Sequence, residues 1–326
     1  MPKLFLGVDG GQSSTAALIG DETSRVLGVG YAGPCNHVEP GEGRAKFIRV
    51  IKQCVESACA QAGIPPPVHF SSACLGFSGG PADKQAIIAE ILSSDRILVT
   101  DDALIALSGA TTGEPGIITI AGTGSIAFGR NQGGRIARAG GWGYIFGDEG
   151  GAFDIVRRAL RAALSFEEGW GQPTSLRASL LAATGASDLN HLLHLFYTSE
   201  YPRSRVAAFA TLIDQEAEDK DSVALQVLND AAHALASLAR AVRNQLFAPS
   251  AAVHICYIGG VFRSRILRGK VRALLESDAP NQVSPPAHGP AAGALIEAYR
   301  AAGIRCELSN VPCEKPHESG NDLLAP

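Results

Sequence analysis

A carboxylate that ends a buried strand beside bare backbone amides can hold a hydrated cation and the phosphate that travels with it. The stretch Asp9-Gly10-Gly11-Gln12-Ser13-Ser14-Thr15 has that make-up. Its glycines let a phosphate approach N–H donors, its hydroxyls add further donors, and Asp9 is able to reach Mg²⁺ through water. Asp-Gly is equally a favoured hairpin turn, so this string alone decides nothing. Ala121-Gly122-Thr123-Gly124-Ser125 offers more donors suited to a terminal phosphate, and it too reads as a hairpin tip. In Ile258-Gly259-Gly260-Val261-Phe262 the paired glycines allow an adenine to lie against the backbone, or simply punctuate a strand-to-helix step. Between them comes Thr100-Asp101-Asp102, a carboxylate pair after a buried strand that also suits a helix N-cap.

The elements that must position these residues follow from periodicity. Lys3 to Val8, Ser14 to Gly20 and Val26 to Tyr31 read as strands around a glycine-tipped turn. Gly41 to Ala62 has helical spacing, with Phe47, Val50, Ile51, Cys54, Val55 and Ala58 on one stripe, and Pro65-Pro66-Pro67 ends it. His69 to Phe77 is expected as a strand, Pro81 to Ser93 as a helix, Arg96 to Thr100 as a strand and Asp102 to Ala110 as a short helix. Thr111 to Gly116 is rich in turn formers and marks the main domain boundary. Ile117 to Phe128 then opens a second strand–turn–strand, so both halves start on a hairpin rich in Gly, Thr and Ser, a weak internal repeat. Phe153 to Phe247 is mainly helical, with Ser222 to Phe247 as its longest piece. Val253 to Ile258 is a strand, Ser264 to Leu275 a helix, and Pro290 to Ala302 a final helix able to return to the first domain. The expected domains are residues 1–112 with 290–304, and 113–289, leaving 305–326 as a disordered tail.

Composition narrows the function classes. A chain of 326 residues suggests two domains of roughly 150 residues. Its 37 glycines cluster at the turns above instead of spreading as linker. A net charge of −4 and the lack of any basic run speak against nucleic-acid and anionic-membrane surfaces. No apolar stretch reaches the ~18 residues that span a bilayer. The start carries one Lys and a very short apolar run before Asp9, unlike a signal peptide. The seven cysteines are odd in number and form no Cys-x-x-Cys pair, as expected of reduced thiols in the cytosol.

Taken in order, the Asp-Gly-Gly hairpin, the Asp after a buried strand, the Gly-Thr-Gly hairpin and the late Gly-Gly resemble the ATP cleft of the actin/hexokinase/Hsp70-like superfamily. Within it the chain is similar to the N-acetylglucosamine kinase / BadF-type ATPase family. Gly33-Pro34-Cys35-Asn36-His37 resembles that family's Asn-His sugar loop. The segment from Gly140 to Gly151, reading GGWGYIFGDEGG, resembles its Gly-Trp-Gly…Gly-Asp-Glu-Gly signature. In animal N-acetylglucosamine kinases a Trp follows the Asn-His pair, where Val38 stands here. The resemblance covers about Leu4 to Ala302. It implies an α/β fold of two actin-like (ribonuclease H-like) domains, with ATP and acceptor in the cleft between them. The implied reaction is transfer of the γ-phosphoryl of ATP, with Mg²⁺, to a hydroxyl of an amino sugar or related hexose, usually that on carbon six. Asp101 would be the general base. Asn36, His37, Ser78, Asp101, Gly124, Ser125, Trp142 and Asp148 would meet the acceptor. Gly10, Gly11, Gln12, Ser13, Thr15, Thr123, Gly124, Gly259, Gly260 and Val261 would line the nucleotide, and Asp9 would serve the metal through water. A small sugar is the implied partner, a homodimer is the family's tendency, and a cytoplasmic location is expected from the cysteines and the amino-terminal segment.

Competing patterns are weaker. Gly28-x-Gly30-x-x-Gly33 matches a dinucleotide fingerprint, but Pro34 follows and no helix opens. Gly76-Phe77-Ser78-Gly79-Gly80 matches the hydrolase nucleophile elbow, with His254 or His288 as nominal partners. That reading leaves the phosphate-binding motifs unexplained. His191 and His194 lack the further ligands of a metal site. No Walker lysine motif occurs. The related ATPases that activate radical dehydratases hold an iron–sulfur cluster through cysteines near the domain interface. Here no cysteine lies between Cys74 and Cys256, which disfavours that role. A non-catalytic ATP sensor is the non-enzyme alternative, against which Asp101 stands.

Overall fold

The computed structural model describes residues 2–35, 43–78 and 84–312. These divide into two compact units, residues 2–116 with 286–312, and residues 117–285.

Unit 1 is built on a five-stranded sheet. Strands β1 (Leu4–Gly10), β2 (Thr15–Asp21) and β3 (Val26–Ala32) are followed by α1 (Gly43–Gln61), β4 (Ser72–Phe77), α2 (Lys84–Ile91), β5 (Ile97–Asp101) and α3 (Asp102–Ala110). The strand order is β3-β2-β1-β4-β5. β2 runs antiparallel to β1 and β3, while β1, β4 and β5 are parallel. Almost every side chain of β1 is buried, because helices cover both faces of the sheet. Leu4, Leu6 and Val8 pack with Phe47, Ile51 and Val55 of α1. Phe5, one residue out of phase, packs instead with Leu295 and Tyr299 of the C-terminal helix Pro290–Ala301. The Phe5 and Tyr299 ring centroids lie 4.2 Å apart, and the Tyr299 hydroxyl donates to the Asp21 carbonyl at 2.5 Å. Truncating either ring would cost about 3–5 kcal/mol. Ser108 of α3 hydrogen-bonds the buried Glu297, which Arg300 also faces at 3.4 Å.

Gly28 and Gly30, the glycines that mimic a dinucleotide fingerprint, serve this packing. A Cβ at Gly30 would lie 2.1 Å from the Cys54 carbonyl oxygen, and one at Gly28 would lie 2.4 Å from that of Ala58. Their bare backbone lets α1 settle onto β3. The expected loose tail also needs correction for residues 305–312. Ser309 forms a bridge with Arg25, its carbonyl accepts from the Val26 amide at 2.9 Å, and Leu308 and Val311 join the apolar cluster around Tyr299. Apolar side chains and unsatisfied edge groups of β3 give this segment a place that its polar composition hid.

Unit 2 repeats the plan. Its elements are β6 (Gly116–Ala121), β7 (Ser125–Arg130), β8 (Ile136–Gly140), α4 (Ala152–Glu167), α5 (Leu176–Thr184), α6 (Leu189–Phe196), α7 (Arg203–Ala208), α8 (Ala210–Glu218), α9 (Ser222–Leu246), β9 (Val253–Ile258), α10 (Arg265–Asp278) and β10 (Asn281–Ser284). Read from its other edge, the strand order β8-β7-β6-β9-β10 matches unit 1 position for position. β6, β9 and β10 are parallel, and β8 is antiparallel to β7. α9 starts at Asp221, whose carboxylate accepts from the amides of Val223 and Ala224, as an N-cap should. Its Leu228, Ala232, Leu235 and Ala239 are buried in the main core with Ile117, Ile155 and Phe209. Strands β8 and β10, short and only partly buried, carried too little apolar alternation to be read from sequence.

Candidate functional site

In unit 1 the sheet register gathers three of the expected segments. Asp9 pairs with Gly76, which pairs with Thr100; one residue further, Gly10 pairs with Phe77 and Phe77 with Asp101. Neighbouring strands lie about 4.8 Å apart, so Asp9 and Asp101 sit in adjacent rows on strands about 10 Å apart. All of them are at the carboxyl ends of parallel strands, where open α/β sheets bind ligands. The turn after Asp9 is closed by the Gly11 amide donating to the Ser14 carbonyl at 3.0 Å, with Gln12 and Ser13 exposed at its tip. A Cβ at Gly10 would lie 2.3 Å from the Phe77 ring and 2.8 Å from Cys35 Sγ, so packing alone demands glycine there.

Asp101 occupies the N-cap position of α3 in extended conformation (φ −79°, ψ 150°) and makes no side-chain cap bond. The helix N-cap is therefore Asp101 by backbone, not Asp102. Asp102 lies in the first turn, where desolvation and then the charge of Asp101 push its carboxyl above the ordinary range. Ser78 follows β4, and its carbonyl accepts from Lys84 Nζ at 3.2 Å. One expected nucleotide contact turns inward: Thr15 is fully buried and donates its hydroxyl to the Gly33 carbonyl at 2.9 Å. Asn36, His37 and Val38 lie outside the described residues.

In unit 2 the Gly122–Gly124 turn and Gly259-Gly260 meet at the carboxyl ends of β6 and β9. Ile120 pairs with Ile258, and a Cβ at Gly259 (φ +112°) would fall 2.3 Å from the Ala121 carbonyl oxygen. Gly259 and Gly260 are exposed, whereas Val261 is buried in a short 3-10 turn. The start of α4 folds back on the Gly122–Gly124 turn: the amides of Ala152 and Phe153 donate to the carbonyls of Gly122 and Thr123 at 2.8 and 3.2 Å.

The glycine-rich loop Gly140–Gly151 wraps the same turn. Gly140, Gly141, Gly143 and Gly150 have positive φ, and so does Asp148, at +65°. Asp148 is buried against Gly124, where a Cβ would lie 2.4 Å from its carboxylate. One carboxylate oxygen faces the Ser125 amide at 3.4 Å, and the other accepts from Arg203 at 2.9 Å. The Ser125 hydroxyl donates to the Glu149 carbonyl at 2.7 Å. Trp142 is exposed, with the Arg138 guanidinium 4.7 Å from its ring centroid.

The family model for the BadF/BadG/BcrA/BcrD ATPase family matches residues 6–298. The chain belongs to that family. It is 32% identical over 267 residues to an N-acetylmuramic acid/N-acetylglucosamine kinase of Clostridium acetobutylicum, covering 80% of this chain and 86% of that protein. It is 30% identical over 262 residues to an N-acetyl-D-glucosamine kinase of Dictyostelium discoideum, covering 75% and 80%. A crystal structure from Chromobacterium violaceum, ascribed to an N-acetylglucosamine kinase, superposes with a TM-score of 0.70 at 26% identity, over 90% of this chain and 98% of that one. The two five-stranded units are thus the actin-like α/β fold of this ATPase family.

Other residues of this family member escaped the sequence reading. Asp154, buried in the first turn of α4, accepts from the Gly150 amide at 3.0 Å, Arg157 at 2.6 Å and Arg158 at 2.8 Å. Burial alone would raise its carboxyl, but the Gly150 amide and the two guanidiniums outweigh it and hold the group below the ordinary range. Its spacing from the arginines, i to i+3 and i+4, was a signal available in the sequence. Arg203 was not findable that way, since 55 residues separate it from Asp148. The hydrolase alternative loses a partner, because the His254 ring is engaged with Ser284 Oγ at 2.7 Å. Among the described residues no helix is long and apolar enough to cross a membrane.

Proposed function

We propose that this protein is an ATP-dependent sugar kinase that transfers the γ-phosphoryl group to a hydroxyl, that on carbon six, of an amino sugar such as N-acetylglucosamine or glucosamine. The observation that carries the reading is the alignment of Asp9, Gly10 and Asp101 along one edge of parallel strands, in a chain 32% identical to a kinase of amino sugars. Phosphoryl transfer requires positioning, charge neutralisation and one base aligned on the acceptor hydroxyl. Asp101, whose side chain makes no cap bond, is the base in this reading. Gly10, Gly11, Gln12, Ser13, Thr123, Gly124, Gly259, Gly260 and the backbone of Val261 line the nucleotide. Asn36, His37, Ser78, Trp142 and Asp148 meet the sugar.

A Mg²⁺ ion fits the donor set at β1: magnesium uses one or two carboxylates and fills its other positions with phosphate oxygens and water. Asp9 at the strand end supplies that carboxylate, and the ion, when bound, neutralises charge on the β- and γ-phosphates.

The test is ADP release measured by a coupled assay with a panel of N-acetylglucosamine, glucosamine, N-acetylmuramic acid and glucose, with and without Mg²⁺. One of the amino sugars should stimulate turnover strongly, and chelation should abolish it. ATP hydrolysis that no sugar accelerates would overturn the kinase reading.

A further inference from the structure

Only 7% of the Asp148 side chain reaches solvent, and its backbone lies in the left-handed region at φ +65°. Burying a carboxylate is unfavourable unless a partner compensates it, and a left-handed residue other than glycine persists only where its surroundings hold it. Both features of Asp148 therefore need support from elsewhere in the fold.

That support comes from Arg203, the first residue of α7. Its guanidinium is the single cation paired with Asp148 among the described residues, at 2.9 Å. The same group stands 5.2 Å from the Tyr144 ring centroid and 5.9 Å from that of Phe153. Those two rings meet edge to face, 5.4 Å apart. Arg203 thus grips the glycine-rich loop at two places, Tyr144 and Asp148, and joins both to the first turn of α4 at Phe153. Between the two gripped residues the loop is unsupported by burial: Ile145 and Phe146 are 72% and 84% exposed.

The two oxygens of the carboxylate are engaged unequally. Oδ2 accepts from Arg203, whereas Oδ1 faces the Ser125 amide at 3.4 Å, longer than an ordinary N–H···O bond of ~2.9 Å. Oδ1 is thus the oxygen with the weaker internal partner.

We propose that Arg203 is a positioning residue for the acceptor, holding Asp148 in its left-handed, buried conformation so that Oδ1 accepts a sugar hydroxyl. Arg203 acts through Asp148 and not by touching the sugar. The inference rests on Asp148 meeting the sugar, as read above.

The test is steady-state kinetics of the full chain with ATP and the amino sugar that best stimulates ADP release. Arg203→Met should raise the acceptor KM about tenfold, as expected for a lost hydrogen bond between charged groups, and leave the ATP KM unchanged. The turnover at saturating acceptor should fall by less than about threefold, the pattern of a lost binding interaction. Arg203→Lys keeps the charge without the planar fork, so its acceptor KM should lie between those of wild type and Arg203→Met. Tyr144→Leu removes a ring beside the guanidinium and should raise the acceptor KM less than Arg203→Met does. In the Asp148→Ala background, Arg203→Met should add nothing to the acceptor KM, because the carboxylate it acts through is gone. A residue that only stabilised the fold would lower the melting temperature without this split between the two KM values.

An unchanged acceptor KM in Arg203→Met overturns the positioning role; if Asp148→Ala still raises that KM, the role of Asp148 stands. If Asp148→Ala leaves it unchanged, the reading of Asp148 falls and the positioning role with it. An Arg203→Met effect that persists undiminished in the Asp148→Ala background also overturns the proposal, since the arginine would then act on its own account. Should Arg203→Met fail to fold, Arg203→Lys and Tyr144→Leu carry the same comparison, and wild-type acceptor KM values in both overturn it.

Discussion

The Asp9–Ser14 turn of unit 1 and the Gly122–Gly124 turn of unit 2 occupy the same place in two sheets of the same strand order, yet they are held differently. The first has its tip in solvent. One amide-to-carbonyl bond closes it, Gln12 and Ser13 remain exposed, and its glycine is required by the Phe77 ring beneath. The second is covered: α4 donates two amides to it, Asp148 fills the space beside Gly124, and Arg203 fixes Asp148 from another helix. One plan therefore yields an open turn and a clamped one. The difference lies in the residues after the hairpin, not in the hairpin.

The largest effect should come from the open side. Asp101→Asn should keep the melting temperature and ATP affinity and lower kcat about 10²- to 10⁴-fold, the usual loss for a general base; near wild-type turnover would remove Asp101 from the chemistry. Next, Gly124→Ala places a methyl group against the Asp148 carboxylate. It should raise the acceptor KM about tenfold or more and the ATP KM less, whereas Gly10→Ala should lower stability by about 1–3 kcal/mol through overpacking against Phe77. Equal KM patterns for the two variants would erase the contrast between the turns.

The clamp also has a pH signature. Asp154 is held below its ordinary value of 3.8, so its contribution to stability is complete above that value and is lost as pH falls through the lower folded value. Asp154→Asn should lower stability by about 2 kcal/mol near neutrality, a partly exposed pairing with two arginines being weaker than a fully buried one. The gap from wild type should close below about pH 4, as read by thermal melts across pH. The smallest effect is expected from Thr15→Val, which removes one hydrogen bond to Gly33. It should cost about 1 kcal/mol of stability and leave the ATP KM unchanged.

Much of the fold was legible because strands buried on both faces and the stripe of α1 leave strong apolar patterns. The two hairpins were legible for the same reason, with glycine at each tip. What stayed hidden depended on partners remote in sequence. The inward turn of Thr15 follows from Gly33 lying across the strand, and the clamp on Asp148 follows from α7. Gly28 and Gly30, whose dinucleotide pattern Pro34 already spoke against, have the task of admitting a helix. Asp101 and Asp102 both suited the helix cap, and β5, running one residue further than expected, gives that position to Asp101.

The C-terminal helix and the Ser309 bridge complete a unit whose other residues all precede position 117. On a ribosome, Phe5 must therefore wait for Leu295 and Tyr299, and after residue 116 is made about 170 residues of unit 2 still come first. At ~5–20 residues per second that interval lasts about 10 to 30 s. Unit 2, continuous in sequence, emerges whole during the wait, while β1 keeps one apolar face uncovered. A nascent chain stalled before residue 290 should accordingly expose its amino-terminal half to chaperones and proteases.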